Sequence, residues 1–231
     1  GVAQYVVNQW YVANVFQVVL GGAGLASIYY FLPQFAGRPL HSKEMALTGF
    51  WLIVFVGSWT GISGQLPLPA WISGISSVAG FMMLVPLAVV VLNIWKTIAP
   101  EVGRVWSETG GKFLIGGLVS YTLWMLQLIW QGSPNTTSLV QFTHFETAAD
   151  YLFIYGFVGL STIGGCCTIL HRLTAQECQC EGSKYVLMTL TTGVVITVAA
   201  LAMAGIQQGV GFQEASFMSS ITAAGGMLRL G

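Results

Sequence analysis

Charge is scarce in this sequence. Only 7% of its 231 residues are Asp, Glu, Lys or Arg, against about a quarter in an ordinary soluble domain. Eight basic and eight acidic side chains cancel, so no basic face exists for nucleic acid and no acidic tail for a cationic partner. Histidine is nearly as rare, at three residues. His41 sits in a polar stretch, and His144 and His171 lie at opposite ends of one apolar run. That run spans most of a roughly 30 Å hydrocarbon layer, so these two cannot share a metal. Each reads as a helix-end or interfacial residue. The four cysteines lack zinc-ribbon or zinc-finger spacing, and Cys178/Cys180 reads as an ordinary loop pair rather than a disulfide or metal site. A charged n-region with a short apolar segment and a cleavage site is not visible after Gly1, which leaves open a start further upstream.

Apolar length is what the chain has in abundance: 55% of its residues are hydrophobic and its mean hydropathy is +0.73. This composition implies an all-α, polytopic transmembrane helix bundle. Six runs approach the length of about 20 residues that a bilayer requires. They lie near 5–32, 45–64, 70–95, 113–131, 149–171 and 185–211, and a partial C-terminal helix follows. No charge occurs between Glu44 and Lys96, yet GQLPLP at 64–69 must divide that stretch, because two prolines within three residues cannot sit inside one helix. Pro86 should only kink the third span. One transmembrane domain, 1–231, is expected, as part of a longer chain or of a split subunit.

Arg38, Lys43, Lys96, Arg104, Lys112, Arg172 and Lys184 all follow odd-numbered spans. The positive-inside rule places those loops in the cytoplasm. Trp10, Tyr11, Trp71 and Trp130 mark outer span ends and Trp95 an inner one. Ionisable residues at membrane depth would signal a pump, channel or redox site. The only acids close to a span are Glu146 and Asp150, which read as carboxylates favoured by a helix N-terminus. A transporter finds little support, since no pair of broken half-helices recurs. The 29 glycines, including Gly57-x-x-x-Gly61 and Gly205-x-x-x-Gly209, suit close helix packing, and the methionines within spans read as packing.

In order along the chain, NQWYVAN, GLASIYYFLPQFAGRPLHS, FWLIVFVGSWTG, LPAW, ADYLFIYGFVGLSTIGG with HRL, and AGIQQG resemble the second half of the catalytic subunit of C-family (cbb3-type) haem-copper oxidases. Nitric oxide reductases are related. The resemblance implies the second half of a twelve-helix bundle. It also implies positions for ligands, and this chain departs from every one. Ala13 stands where a copper-binding histidine is implied, and Ser63 and Gly64 stand for an adjacent histidine pair, with a redox tyrosine aligned near Gly57. Ala149 and Tyr151 occupy the positions of the two haem-binding histidines. Tyr151 could ligate iron only as a tyrosinate, and no cation is near to hold it deprotonated, so it reads as filling space left by a vanished haem. The half of the family fold that carries the other low-spin haem ligand is not among these residues.

No catalytic residue, metal ligand or resident cofactor is therefore expected, while haem and copper belong to partner subunits. The leading expectation is a non-catalytic, structural or assembly subunit of a respiratory complex. Its partners would be other integral membrane subunits, including an intact catalytic oxidase subunit and cytochrome c subunits. A second expectation is a quinone or lipid in the emptied cavity, lined by Asn14, Gln17, Trp59, Tyr151 and Tyr155, with Trp10, Tyr11 and Phe153 nearby. A third is part of an active oxidase or nitric oxide reductase whose cofactors sit on another subunit. Asn8 and Gln9 read as helix-entry residues, and Asn14 and Gln17 as candidates for hydrogen bonds between helices.

Overall fold

The structure is a computed structural model that describes residues 2–61, 70–174 and 181–228. Among these residues there are eleven α-helices and no strand. α1 (Val2–Asn14) passes through a π-helical segment (Val15–Leu20) into α2 (Gly21–Ala36). α3 (Lys43–Gly57), α4 (Ala70–Met82) and α5 (Leu84–Ile98) follow, then the short α6 (Val102–Ser107) and the long α7 (Thr109–Gln131). α8 (Pro134–Val140) leads to α9 (His144–Tyr151), which runs through a second π-helical segment (Leu152–Gly159) into α10 (Leu160–Thr174). α11 (Glu181–Leu228) is one continuous helix of 48 residues.

Among the described residues five stretches are long and apolar enough to cross a membrane: Val6–Ala36, Trp71–Ser107, Thr109–Gln131, His144–Leu170 and Lys184–Ala215. They match five of the six expected spans. The sixth, expected over 45–64, corresponds to α3, whose 15 residues reach only about 22 Å. Its helix gives way at Ser58, and Gly61 adopts a left-handed φ of 82°. The remainder of that expected span, with the GQLPLP turn, Ser63 and Gly64, lies outside the described residues, as does the Cys178/Cys180 pair. The partial C-terminal helix is likewise not a separate element, because α11 carries straight through that region.

Local sequence explains several helix ends. Gly37, at φ 63°, closes α2: its N–H donates to the Gln34 carbonyl and the Arg38 N–H to that of Pro33, the paired bonds of a Schellman cap. Ser42 begins α3 by accepting from the Met45 N–H at 3.1 Å, with Glu44 in the first turn. Pro86 has no N–H to give the carbonyl four residues back, and the helix breaks at Met83 between α4 and α5, in keeping with the expected kink.

The core runs between α2, α5, α7 and the second π segment. Ile28, Leu32, Ile94, Leu114, Phe153 and Phe157 are fully enclosed there. Small residues allow this closeness. A Cβ on Gly117 would lie 2.4 Å from Ser161 Oγ, and one on Gly110 would lie 2.8 Å from the Phe35 ring, so α7 meets α10 and α2 nearly backbone to side chain. α11 docks differently, through the glycines of its 205–209 motif. Those on 57 and 61 form no such motif, since Gly61 lies in a turn.

The structure also gathers the basic residues. At one end of the bundle the Ser42 N–H donates to Asn93 Oδ1 at 3.0 Å, Asn93 Nδ2 donates back to the Ser42 carbonyl at 2.8 Å, and the His41 N–H donates to Thr97 Oγ1 at 3.0 Å. Arg104 lies against Gly37, and Arg172 donates to Gln34 Oε1. Arg38, Lys43, Lys96, Arg104 and Arg172 thus come together. The opposite end, where Gly80 meets Gly132 and His144 meets Gln208, carries none of them.

Candidate functional site

The two π-helical segments face each other inside the bundle. A π turn adds a residue to the helical circuit and changes which side chains look inward, and such turns concentrate at functional positions. Phe16 of the first stacks on Phe153 of the second, with ring centroids 5.6 Å apart. Phe153 also packs on Trp124 at 4.4 Å and on Phe157 at 5.5 Å, and Phe157 on Tyr121 at 4.8 Å. Gly24 makes room for this cluster, since a Cβ there would lie 2.6 Å from the Phe157 ring. Five aromatic side chains thereby fill the space between α2, α7 and the second π segment.

Gln17 is the polar group beside that cluster. It is 7% exposed and its Nε2 donates to Thr60 Oγ1 at 2.7 Å, while Thr60 Oγ1 donates to the Gly57 carbonyl at 2.7 Å. Because the Thr60 hydroxyl spends its hydrogen on Gly57, it can only accept from Gln17, and this sets the orientation of the carboxamide. Gln17 Oε1 then lies where a Cβ on Gly57 would be 2.4 Å away. Gln17 is thus the expected link between helices. Asn14 is not: its Nδ2 donates to the Trp10 carbonyl on its own helix.

The remaining expected lining residues part company. Tyr151 and Tyr155 pack on each other with tilted rings 5.3 Å apart and are 40% and 53% exposed, on an outward face. Trp59, half exposed, joins Trp10, Trp71, Val6, Ile72 and Ile75 around an open cleft of about 200 Å³ that offers no polar surface. Of Asn14, Gln17, Trp59, Tyr151 and Tyr155, only Gln17 reaches the interior beside the aromatic cluster.

The implied ligand positions among the described residues are equally dispersed, and Ser63 and Gly64 lie outside those residues. Ala13 is half-buried on α1, one turn before Gln17, and Ala149 packs against the core from α9. Haem iron requires an axial His, Met, Cys or Tyr, and copper requires converging imidazole or sulfur donors. Two methyl groups, an outward-facing Tyr151 and a cluster of rings do not fit either group. Among the described residues no three of His, Cys, Asp and Glu gather. Glu146 lies in the first turn of α9, whose N-cap Thr143 accepts from the Phe145 N–H at 3.2 Å, and both Glu146 and Asp150 are exposed. That is the helix-terminus role expected of Glu146, whereas Asp150 lies a turn further on, beyond the first turn of α9.

Sequence reasoning passed over Thr60, Tyr121 and Asn93. Asn93 had a signal: it is the one carboxamide in the uncharged run between Glu44 and Lys96 other than Gln65, and a lone amide in a spanning segment seeks a partner on another helix. Thr60 and Tyr121 had none, since each matters through a neighbour distant in the chain.

Comparison with known proteins identifies the family. The family described as Cytochrome C and Quinol oxidase polypeptide I matches residues 1–227. A cytochrome c oxidase subunit 1 homolog of Azorhizobium caulinodans is 23% identical over 96% of this chain and 43% of its own length. The Cbb3-type cytochrome c oxidase subunit CcoN1 of Stutzerimonas stutzeri is 23% identical over 90% of this chain and 45% of its own. A bacteroid cytochrome c oxidase subunit 1 homolog of Bradyrhizobium diazoefficiens is 22% identical over 96% and 43%. The chain spans less than half the length of these relatives. With its five long apolar helices and a family match over nearly all its residues, it is an integral membrane protein that belongs to the cytochrome c and quinol oxidase polypeptide I family.

Proposed function

We propose that this chain is a non-catalytic member of its family, giving structural or assembly support to a respiratory electron-transfer complex. One observation carries the reading. The residues at the implied ligand positions, Ala13, Ser63, Gly64, Ala149 and Tyr151, include no histidine, while Phe16, Tyr121, Trp124, Phe153 and Phe157 pack together in the described interior. Its partners are integral membrane subunits, among them an intact catalytic oxidase subunit with cytochrome c subunits, and haem and copper reside there. The gathered basic end faces the cytoplasm of a bacterial cell, in line with the positive-inside rule. A pyridine haemochrome assay with metal analysis on the isolated chain tests the proposal. Haem and copper at far below one per chain are expected, and a stoichiometric amount of either overturns it.

The Trp10–Trp59–Trp71 cleft supports a second reading, that the chain holds a lipid. A wholly apolar lining suits an acyl tail, whereas a quinone head would need hydrogen-bond partners that this lining does not offer. Lipid extraction from the purified chain tests it, with Trp59→Ala as the comparison. Retention of the same lipids by both forms removes this reading.

A further inference from the structure

At the last turn of α2, arginines from two other helices meet a third. A Cβ on Gly37 would lie 2.7 Å from a terminal nitrogen of Arg104, which comes from α6, and Arg172, near the end of α10, donates to Gln34 Oε1. Arg38 follows Gly37 directly, and all three arginines are exposed. Capping of α2 does not explain them, because the carbonyls of Pro33 and Gln34 already accept from the backbone N–H groups of Arg38 and Gly37. Ion pairing does not explain them either. Among the described residues the guanidinium groups of Arg38 and Arg104 have no hydrogen-bonded partner, and Glu101 and Glu108, which flank Arg104 in the sequence, form no ion pair with it.

The surroundings suit a lipid headgroup. Trp106 and Leu173, within two residues of Arg104 and Arg172, are 55% and 77% exposed, so these arginines sit where apolar surface gives way to polar, the depth of phospholipid phosphates. An outward face of α2 leads up to them. Ala23, Ala26 and Tyr30 are exposed at spacings of three and four residues, and Gln34 and Gly37 continue that row. The two alanines leave a shallow track for an acyl chain. We propose that this turn holds an anionic phospholipid, its phosphate at the Arg104 and Arg172 guanidinium groups with Arg38 beside them, and one acyl chain along Ala23, Ala26 and Tyr30. Arginine suits the task, since its planar fork gives two parallel N–H···O bonds to a phosphate, whereas lysine offers a point charge. Basic sites between helices at a membrane surface take lipid headgroups of this charge. Continuity with an apolar track favours a phospholipid over an acidic protein loop.

Substitution by lysine tests this, because it keeps the net charge and the positive-inside signal while removing the fork. The full chain in mild detergent is mixed with dioleoyl phosphatidylglycerol or dioleoyl phosphatidylcholine, and retained lipid is counted by native mass spectrometry. Phosphatidylglycerol should be retained about tenfold better than phosphatidylcholine, and should raise the Tm. Arg104→Lys combined with Arg172→Lys should remove most of that preference and of the rise in Tm. Lys184→Gln, which removes a charge from α11 on the same side, should leave both intact. Equal retention of the two lipids by the unaltered chain overturns the proposal, as does a preference that survives both lysines or is lost equally with Lys184→Gln. Excess inorganic phosphate should leave the lipid in place. Its full displacement would assign the arginines to a free anion and overturn the proposal too.

Discussion

Adding one methyl group at Gly209 should loosen the attachment of α11 to the rest of the bundle. A Cβ built there lies 1.9 Å from the Leu139 carbonyl oxygen and 2.9 Å from its carbon, atoms of backbone that no rotamer change can move. Restoring ordinary contact requires the two segments to separate by roughly 1.5 Å, and overpacking of this kind costs about 1–3 kcal/mol. The same separation strains the hydrogen bond one residue away, in which the His144 N–H donates to Gln208 Oε1 at 3.0 Å, worth about 1 kcal/mol more. The sum, about 2–4 kcal/mol, corresponds to a fall in Tm of about 4–16 °C for a chain of this size. Gly193, on the same helix, has nothing within 4 Å of its added Cβ. Gly193→Ala should be neutral or slightly stabilising, since alanine is the better helix former. Thermal unfolding in mild detergent, followed by circular dichroism, compares the two variants. Equal Tm values for Gly209→Ala and Gly193→Ala would refute the reasoning, because they would show that α11 does not approach residues 139–145 this closely.

Three further outcomes are expected from the same measurement. Gly24→Ala should destabilise by about 1–3 kcal/mol by driving a Cβ into the enclosed Phe157 ring, and adding Phe157→Leu should recover part of that loss; strictly additive effects would mean that the two do not touch. Asn93→Leu removes both bonds to Ser42, which leaves that backbone N–H unpaired and its carbonyl with only the Ala46 N–H at 3.4 Å, and should cost about 1–3 kcal/mol and speed proteolysis of residues 37–42; unchanged cleavage would separate Asn93 from the loop. Gly57→Ala should displace Gln17 and break its bond to Thr60, so Gly57→Ala and Thr60→Val combined should cost less than the sum of the two alone.

Residues near to one another in the chain carried much of the architecture. The Gly37 cap and the Ser42 start of α3 follow from FAGRPLHS, where a left-handed glycine, a proline and a serine come in the order that ends one helix and begins the next. Five of the six spans were legible from apolar length. The second was not: its apolar run continues beyond the helix, so length alone overstates α3. Gln17 was legible as a link between helices, but its partner Thr60, 43 residues away, was not.

The sequence by itself thus determined the class, an all-α membrane bundle, together with the end of α2, the start of α3 and the loops that share positive charge. Only the tertiary structure decided which faces look inward. Phe153 and Tyr155 are two residues apart in one aromatic run, yet Phe153 is enclosed and Tyr155 is 53% exposed. Apolar periodicity could not separate them, because a helix in lipid is hydrophobic on every side and the bilayer is as apolar as the bundle interior. The π segments shift the phase of the side chains as well, and nothing in VFQVVL or LFIYGFVG announces that shift. Whether Tyr151 and Tyr155 lined a cavity or faced outward was therefore decided by how the helices meet.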